Sequence, residues 1–374
     1  MSELIFTNAQ LVLPDQVVRG SIHLRDGMIT AIDDWASHAA GAIDCNGDYL
    51  LPGFVDLHTD NLERQVLPRP KARFPSRSAL VTHDAQCAAA GITTVLDALC
   101  IGDLGFDTAR VKTATEGIAD ITALAAVLKS EHFLHLRCEL PAEDMQDRLA
   151  PAAENPLVRL VSLMDHSPGV GQYFDLDYYR FVRRLFGTPP AEIEHDIIRL
   201  QAQRARMRPV NRAAILAQFG GRVPLASHDD RTEDEVAENH VDGVAIAEFP
   251  VSKLAAGAAH SRGIGVIGGA PNVVRGGSHS GNVAVSDLIA TGDLDALASD
   301  YVPASLLEAA FAIGRTLLSL PAAVALISLT PAEMLGLHDR GGLVAGRRAD
   351  LVRVAVHEDL PLPRGTWRAG VRIA

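Results

Sequence analysis

Residues 51–60 read Leu51-Pro52-Gly53-Phe54-Val55-Asp56-Leu57-His58-Thr59-Asp60. A proline–glycine turn leads into an apolar run, and the run ends on an imidazole and a carboxylate two positions apart. Side chains two apart on a strand share a face. A ring nitrogen and a carboxylate on one face suit zinc, manganese, iron or nickel. Alone, a His-x-Asp pair is weak evidence, because most such pairs are surface or capping residues. What lies outward from it decides the reading.

Downstream, the chain alternates strand with helix. Strand-like runs occur at Phe54–Leu57, Thr93–Leu96, His132–Leu136, Val158–Leu163, Val223–Ala226, Gly243–Ala247, Gly265–Ile267 and Ala296–Ser299. Helical stretches such as Ser78–Ala90 and Asp107–Lys129 lie between several of them. This alternation predicts an α/β fold, a (β/α)8 TIM-type barrel rather than a doubly wound sheet. Upstream, Leu4–Phe6, Gln10–Leu13, Ser21–Leu24 and Met28–Ile32 are short alternating runs, and Leu351–Val356 and Trp367–Ile373 resemble them. The expected layout is a composite β-sandwich domain from residues 1–52 and 341–374, with a metallohydrolase barrel over 53–340. The charged, helical stretch Phe174–Phe219 reads as an insertion between barrel strands and carries no placeable motif.

Length and charge narrow the function. The 374 residues suit one barrel of roughly 250 residues plus a smaller unit. A net charge of −12 argues against a nucleic-acid face, and it obliges any anionic substrate to find a local basic patch. Cys45, Cys87, Cys100 and Cys138 form no C-x-x-C pair, which fits a reducing cytosol better than a disulfide framework. The N-terminus lacks a signal-peptide pattern. The apolar stretch Ala304–Ile327 is broken by Glu308, Arg315 and Pro321, so buried helices are expected there and no membrane span. The expectation is a cytoplasmic protein with no nucleic-acid or membrane partner, and a homo-oligomer is left open.

Barrel chemistry sits at the C-terminal ends of the strands. There the sequence places His58 and Asp60, then Glu139, Asp165-His166, Ser227-His228-Asp229-Asp230, and Asp300. Glu139 could bridge two metals, with His166 and His228 completing one site and Asp300 the other. Two ions about 3.5–4 Å apart activate water and clamp a reacting group, and Asp300 could also serve as general base. The expected cofactor is two divalent ions per chain, of zinc, manganese or iron. Each residue also has a plainer reading: Asp229 and Asp230 could cap a helix, and Glu139 could be a loop residue. Five strand ends that each offer a ligand outweigh those readings. His83, His195, His240, His260, His338 and His357 are read as structural or surface residues.

Leu51–His58, Gly91-Ile92-Thr93-Thr94-Val95, Leu329–Leu335 and Gly341–Leu351 together resemble the amidohydrolase superfamily. Closer still, several motifs are jointly similar to the α-D-ribose 1-methylphosphonate 5-triphosphate diphosphatases of the bacterial carbon–phosphorus lyase pathway. These motifs are His58–Glu63, Leu134–Glu139, Ser162–His166, Ala226–Asp230, Ala247–Pro250, Gly269–Asn272, Arg275–Asn282 and Ser299–Tyr301. The resemblance covers nearly the whole chain. It implies metal-dependent hydrolysis of a small phosphorylated ribose to the 5-phosphate and pyrophosphate. It also implies metal positions at His58, Asp60, Glu139, His166, His228 and Asp300. Asp60 stands where many superfamily members have histidine, and Glu139 where many have a carboxylated lysine. Harder oxygen ligands shift preference toward manganese or iron.

Two stretches could meet the phosphates. Arg64, Arg69, Lys71, Arg73 and Arg77 follow the first strand with no acidic residue between them, and Pro68, Pro70 and Pro75 stiffen the loop. Arginine forks match phosphate oxygens, although a solvated basic loop is common. Arg275-Gly276-Gly277-Ser278-His279-Ser280-Gly281-Asn282 is the second stretch, with backbone N–H groups exposed by glycine and a helix expected from near Val283. The expected substrate contacts are Arg69, Lys71, Arg73, Arg275, Ser278, His279 and Asn282. No P-loop motif is present. In the expected reaction water attacks the α-phosphorus in line and pyrophosphate leaves. Two other readings stand beside this one. Hydrolysis of a cyclic amide or N-acyl bond leaves the basic stretch unexplained. A non-catalytic scaffold of a phosphonate-processing assembly leaves the ligand set unexplained.

Overall fold

The computed structural model describes residues 3–69, 71–105, 108–278 and 282–374. Pro70, Asp107, His279, Ser280 and Gly281, named above, lie outside the described residues.

Eight parallel strands form one sheet in sequence order: Phe54–Thr59, Ile92–Ile101, Glu131–Glu139, Val158–Met164, Leu225–His228, Ile246–Glu248, Gly265–Gly269 and Ala296–Ala298. All eight expected strands are present. The last returns to the first at a parallel bridge between Thr59 and Asp300. The Asp300 N–H donates to the His58 carbonyl at 2.9 Å, and the Asp60 N–H donates to the Asp300 carbonyl at 3.0 Å. The barrel is thus joined at its mouth by three of the expected site residues.

Alternation sorts the third strand. Leu134, Leu136 and Cys138 pack outward against the helices, and Phe133, His135, Arg137 and Glu139 fall on the opposite face. Phe133 belongs to an apolar floor with Leu57, Leu96, Leu160, Ala226, Ile246 and Ile267, drawn from all but the last strand, where Ala296 and Ala298 complete it. Above this floor the interior turns polar. Close packing explains the two glycines flanking the strands. A Cβ at Gly53 would lie 2.4 Å from Thr93 Oγ1, and one at Gly91, where φ is +93°, would lie 2.6 Å from the Phe54 ring.

Both termini build a second sheet. Tyr49–Pro52 pairs in parallel with Glu3–Val12 and antiparallel with Leu351–His357. Phe6, Leu11, Ile22, Leu50, Leu351 and Trp367 share its core. Leu4–Phe6 and Gln10–Leu13 prove to be parts of one strand, Glu3–Val12. A bulge between Phe6 and Ala9, with Asn8 at φ 54°, breaks the alternation that sequence periodicity reads. Glu131, at the start of the third barrel strand, ties the two parts together. Its Oε2 accepts from Arg340 and Arg348, each at 2.5 Å.

The stretch Phe174–Phe219 forms helices Leu176–Leu185 and Pro190–Phe219 between the fourth and fifth strands. It is not wholly an addition. Leu200, Ile215 and Phe219 enter the same apolar cluster as Leu134, Leu136 and Val161, so the long helix is also the barrel's own covering helix. Among the described residues, no helix is long and apolar enough to cross a membrane.

Candidate metal centre

A cavity of about 320 Å³ opens at the C-terminal mouth of the barrel, lined by His58, Asp60, His166, His228 and Asp300. Five of the six expected metal positions therefore meet in one place. The ligand atoms of His166, His228 and Asp229 lie within 4.8 Å of one another. Burial holds the His228 imidazole below its ordinary pKa, so it is neutral and able to bind a metal. Burial, and then the Asp60 carboxylate beside it, push Asp300 up to about 6. Two carboxylates forced together in a buried pocket are what a divalent cation relieves. This donor set fits such an ion.

Glu139 is placed differently from the rest. It sits just beneath His166, where one oxygen accepts from the His166 backbone N–H at 2.8 Å and the other lies 2.6 Å from Nδ1. Both oxygens are engaged with one histidine, an arrangement that orients an imidazole ligand.

A polar layer that sequence reading left unassigned supports the other rings. Glu248, from the sixth strand, is 1% exposed. Its Oε1 lies 3.0 Å from His58 Nδ1, and its Oε2 lies 3.4 Å from His228 Nδ1 and 2.5 Å from Ser162 Oγ. Burial disfavours the charge, but the imidazoles of His135 and His58 outweigh it and hold the Glu248 carboxyl well below the ordinary range. His135 lies against Ser162 in the same layer. Glu248 thus fixes two cavity histidines through one nitrogen each. Glu248 is the last residue of the strand Ile246–Glu248, one position beyond the expected end of that strand.

Next to the fifth strand stands another cavity residue, one whose plainer expected role was to cap a helix. Asp229 lines the cavity with φ 58°, while Asp230 turns away to Ser227 and Asn239. Neither caps the following helix. Thr232 does so through a capping box with Glu235.

The expected phosphate contacts separate. Arg275, Ser278 and Asn282 line the cavity, and His279 lies outside the described residues. Arg69 and Lys71 are exposed and do not line it. Arg73 is turned toward the helix Thr108–Leu124, donating to Thr113 at 3.1 Å and Glu116 at 2.5 Å, and Arg77 pairs with Asp120 at 2.9 Å. Arg110 and Arg137 line the cavity instead. The helix expected near Val283 begins at Val285, and Asn272 Oδ1 accepts its first N–H at 3.0 Å.

A second histidine cluster lies away from the mouth, buried between the second and third strands and the helix Ser76–Ala89. Asp97 accepts from His83 and His132, each at 2.7 Å, and Asp84 lies 3.2 Å from His132. It is a closed hydrogen-bond network.

A barrel with histidines and carboxylates at its strand ends, joined to a sheet made by both termini, defines a class. A family model described as "Amidohydrolase family" matches residues 202–373. The alpha-D-ribose 1-methylphosphonate 5-triphosphate diphosphatase of Escherichia coli (strain K12) is 43% identical over 377 residues, covering 99% of this chain and 100% of that protein. The chain belongs to the amidohydrolase family, in company with that diphosphatase. Among solved structures, N-acetylglucosamine-6-phosphate deacetylase from Pasteurella multocida superposes with a TM-score of 0.64 at 14% identity, covering 99% of each chain. The 5-methylcytosine deaminase from Klebsiella pneumoniae superposes with a TM-score of 0.62 at 17% identity, covering 99% of this chain and 98% of that one. These two likenesses concern the fold.

Proposed function

We propose that the chain hydrolyses α-D-ribose 1-methylphosphonate 5-triphosphate to the 5-phosphate and pyrophosphate, as the name of its 43% identical relative describes. One observation carries this reading: a single cavity combines metal-type donors with the guanidinium groups of Arg110 and Arg275. A neutral cyclic amide needs the donors but not the arginines. His58, Asp60, His166, His228 and Asp300 are the residues that would hold two divalent ions, which when bound act as Lewis acids and lower the pKa of water.

The chain's own groups do the rest. Glu248 and Glu139 hold the imidazole rings in register. Asp300, with its raised pKa, is suited to take the proton of the attacking water near neutral pH. Arg110 and Arg275, with Ser278 and Asn282, hold the phosphates and offset the charge of departing pyrophosphate. A phosphorylated ribose substrate supports a cytoplasmic location as part of the same proposal.

The test is the identity of the first product. Purified protein supplied with manganese, iron or zinc should release pyrophosphate from the ribose triphosphate. Orthophosphate as first product would sink attack at the α-phosphorus. Turnover of dihydroorotate, a hydantoin or an N-acyl amino acid in its place would move the reading to C–N hydrolysis.

A further inference from the structure

Seven of the eight junctions around the barrel are ladders in which three or more residues pair across neighbouring strands. The eighth, the seam between the last strand and the first, has a single bridge, Thr59 with Asp300. Below that bridge another segment is wedged between the strands. The Val55 N–H donates to the Ile327 carbonyl at 3.0 Å, and the Leu297 N–H donates to the Leu326 carbonyl at 2.8 Å. Leu326 and Ile327 thus take hydrogen bonds that two parallel strands ordinarily exchange with each other.

Asp56 stands where the wedge ends and direct pairing begins. It is 0% exposed. Its Oδ1 accepts from the Ser299 N–H at 3.0 Å and from the His58 N–H at 3.3 Å. These are one N–H from each side of the seam. The first belongs to the residue before Asp300, and the second to His58 itself. A side-chain oxygen therefore does what the ladder does at the other junctions. Burying a carboxylate costs free energy unless its hydrogen bonds offset the loss of water. An apolar side chain would avoid that cost but leave two buried N–H groups unsatisfied. Contact with substrate does not explain the residue, because Asp56 does not line the cavity.

We infer that Asp56 is a positioning residue of the metal centre: by accepting from both strands it sets the height of Asp300 against His58. The bonds above it depend on that register. The Asp300 N–H reaches the His58 carbonyl at 2.9 Å, and the Asp300 carbonyl accepts from the Asp60 N–H at 3.0 Å and the Thr59 hydroxyl at 3.1 Å. A slip of one residue between parallel strands moves each side chain by about 3.3 Å and exchanges the two faces. Either change would part the donors of His58 and Asp60 from that of Asp300. Asp300 also has φ 55°, so its carboxylate enters the cavity from a turn whose first residue Asp56 holds.

Cobalt(II) is the probe, added to the full chain after its metal has been removed, because the visible band of bound cobalt reports the number and arrangement of its ligands. Asp56→Ala should bind cobalt at least about tenfold more weakly than wild type, as loss of a charge-assisted hydrogen bond implies, and with an altered band. Asp56→Asn keeps an oxygen of the same reach and should stay within about threefold of wild type with the band unchanged. Val158→Ala is the control for general loosening, since Val158 is buried at the start of the fourth strand, opposite the seam. It should lower the melting temperature and leave the affinity and band of wild type. Should Asp56→Ala fail to fold, Asp56→Ser carries the same comparison, because its hydroxyl is too short to reach both N–H groups.

Cobalt affinity within about twofold of wild type in the folded Asp56→Ala or Asp56→Ser, with an unchanged band, would overturn the assignment. So would an equal loss in Val158→Ala, which would make the effect one of stability alone. The role rests on the metal-centre reading, and the two fail differently. A wild type that takes up no cobalt overturns the centre itself, whereas a variant that matches a cobalt-binding wild type overturns only the role of Asp56.

Discussion

Replacing Glu248 with glutamine keeps the size of the side chain and removes its charge. In the wild type its two oxygens meet His58 Nδ1 at 3.0 Å, His228 Nδ1 at 3.4 Å and the Ser162 hydroxyl at 2.5 Å. Glutamine offers one acceptor oxygen in place of two. Whichever way the amide turns, one imidazole N–H faces an NH2 group in a buried site. One charged hydrogen bond contributes about 1.5–3 kcal/mol, and each 1.4 kcal/mol is about tenfold in an equilibrium constant. The expected cost is thus about 10- to 100-fold in metal affinity, the range typical of residues that orient metal-binding histidines. Competition with a chromophoric chelator measures the affinity, and circular dichroism checks that the barrel is intact. A folded variant that holds metal within about twofold of wild type would refute the role assigned to Glu248. Restored affinity in Glu248→Asp would not be expected, because the shorter side chain cannot reach both rings.

Other predictions use residues already described. Asp300→Asn should lower turnover by orders of magnitude with the fold retained, and near-normal rates would reject Asp300 as the base. The raised Asp300 pKa of about 6 means that protons compete with metal below that pH, so metal retained after dialysis should fall between pH 7 and pH 5. Arg73→Ala should leave KM within about twofold and cost up to about 1 kcal/mol in urea unfolding, as a partly exposed ion pair does; a tenfold rise in KM would return Arg73 to the phosphate site. In the second histidine cluster burial opposes charge throughout, but Asp97 and Asp84 raise His132 to about 9, and His132 and His83 lower Asp97 to about 2. The His132 contribution is complete below about pH 6.5 and fades as pH rises toward 9, while that of Asp97 is complete above about pH 4 and fades toward pH 2. Urea stability should therefore decline on the alkaline side, and His132→Gln should lose that decline; parallel profiles would contradict it.

The barrel was readable because buried parallel strands are apolar runs, and each run ends where the chain reaches the polar mouth. His58, Asp60, His166, His228 and Asp300 were found by that boundary. Glu248 stands at a strand end too, but its carboxylate is buried against His58 and His228, and a strand-end position does not report that depth. Arg110 escaped because which helical residues face the mouth depends on how the helix packs. The basic stretch after the first strand shows the opposite limit. Composition reports the charges of Arg73 and Arg77 but not their partners, which lie on a neighbouring helix 40 or more positions along the chain. Asp229 was visible, but only its strained backbone in the folded chain turns it into the cavity while Asp230 turns away.

The bridge between Thr59 and Asp300 spans 241 positions, and it has a temporal meaning. During synthesis the first strand, with His58, emerges early and waits for the last strand, with Asp300, to be made. Until the two meet, the barrel is an open sheet and the ligands at its two ends have no common centre. Ring closure is what brings His58 and Asp60 to Asp300, so that part of the cavity is assembled only when the last strand has docked. A chain stalled before Ala296 would carry every histidine of the cavity and still lack the carboxylate that completes it.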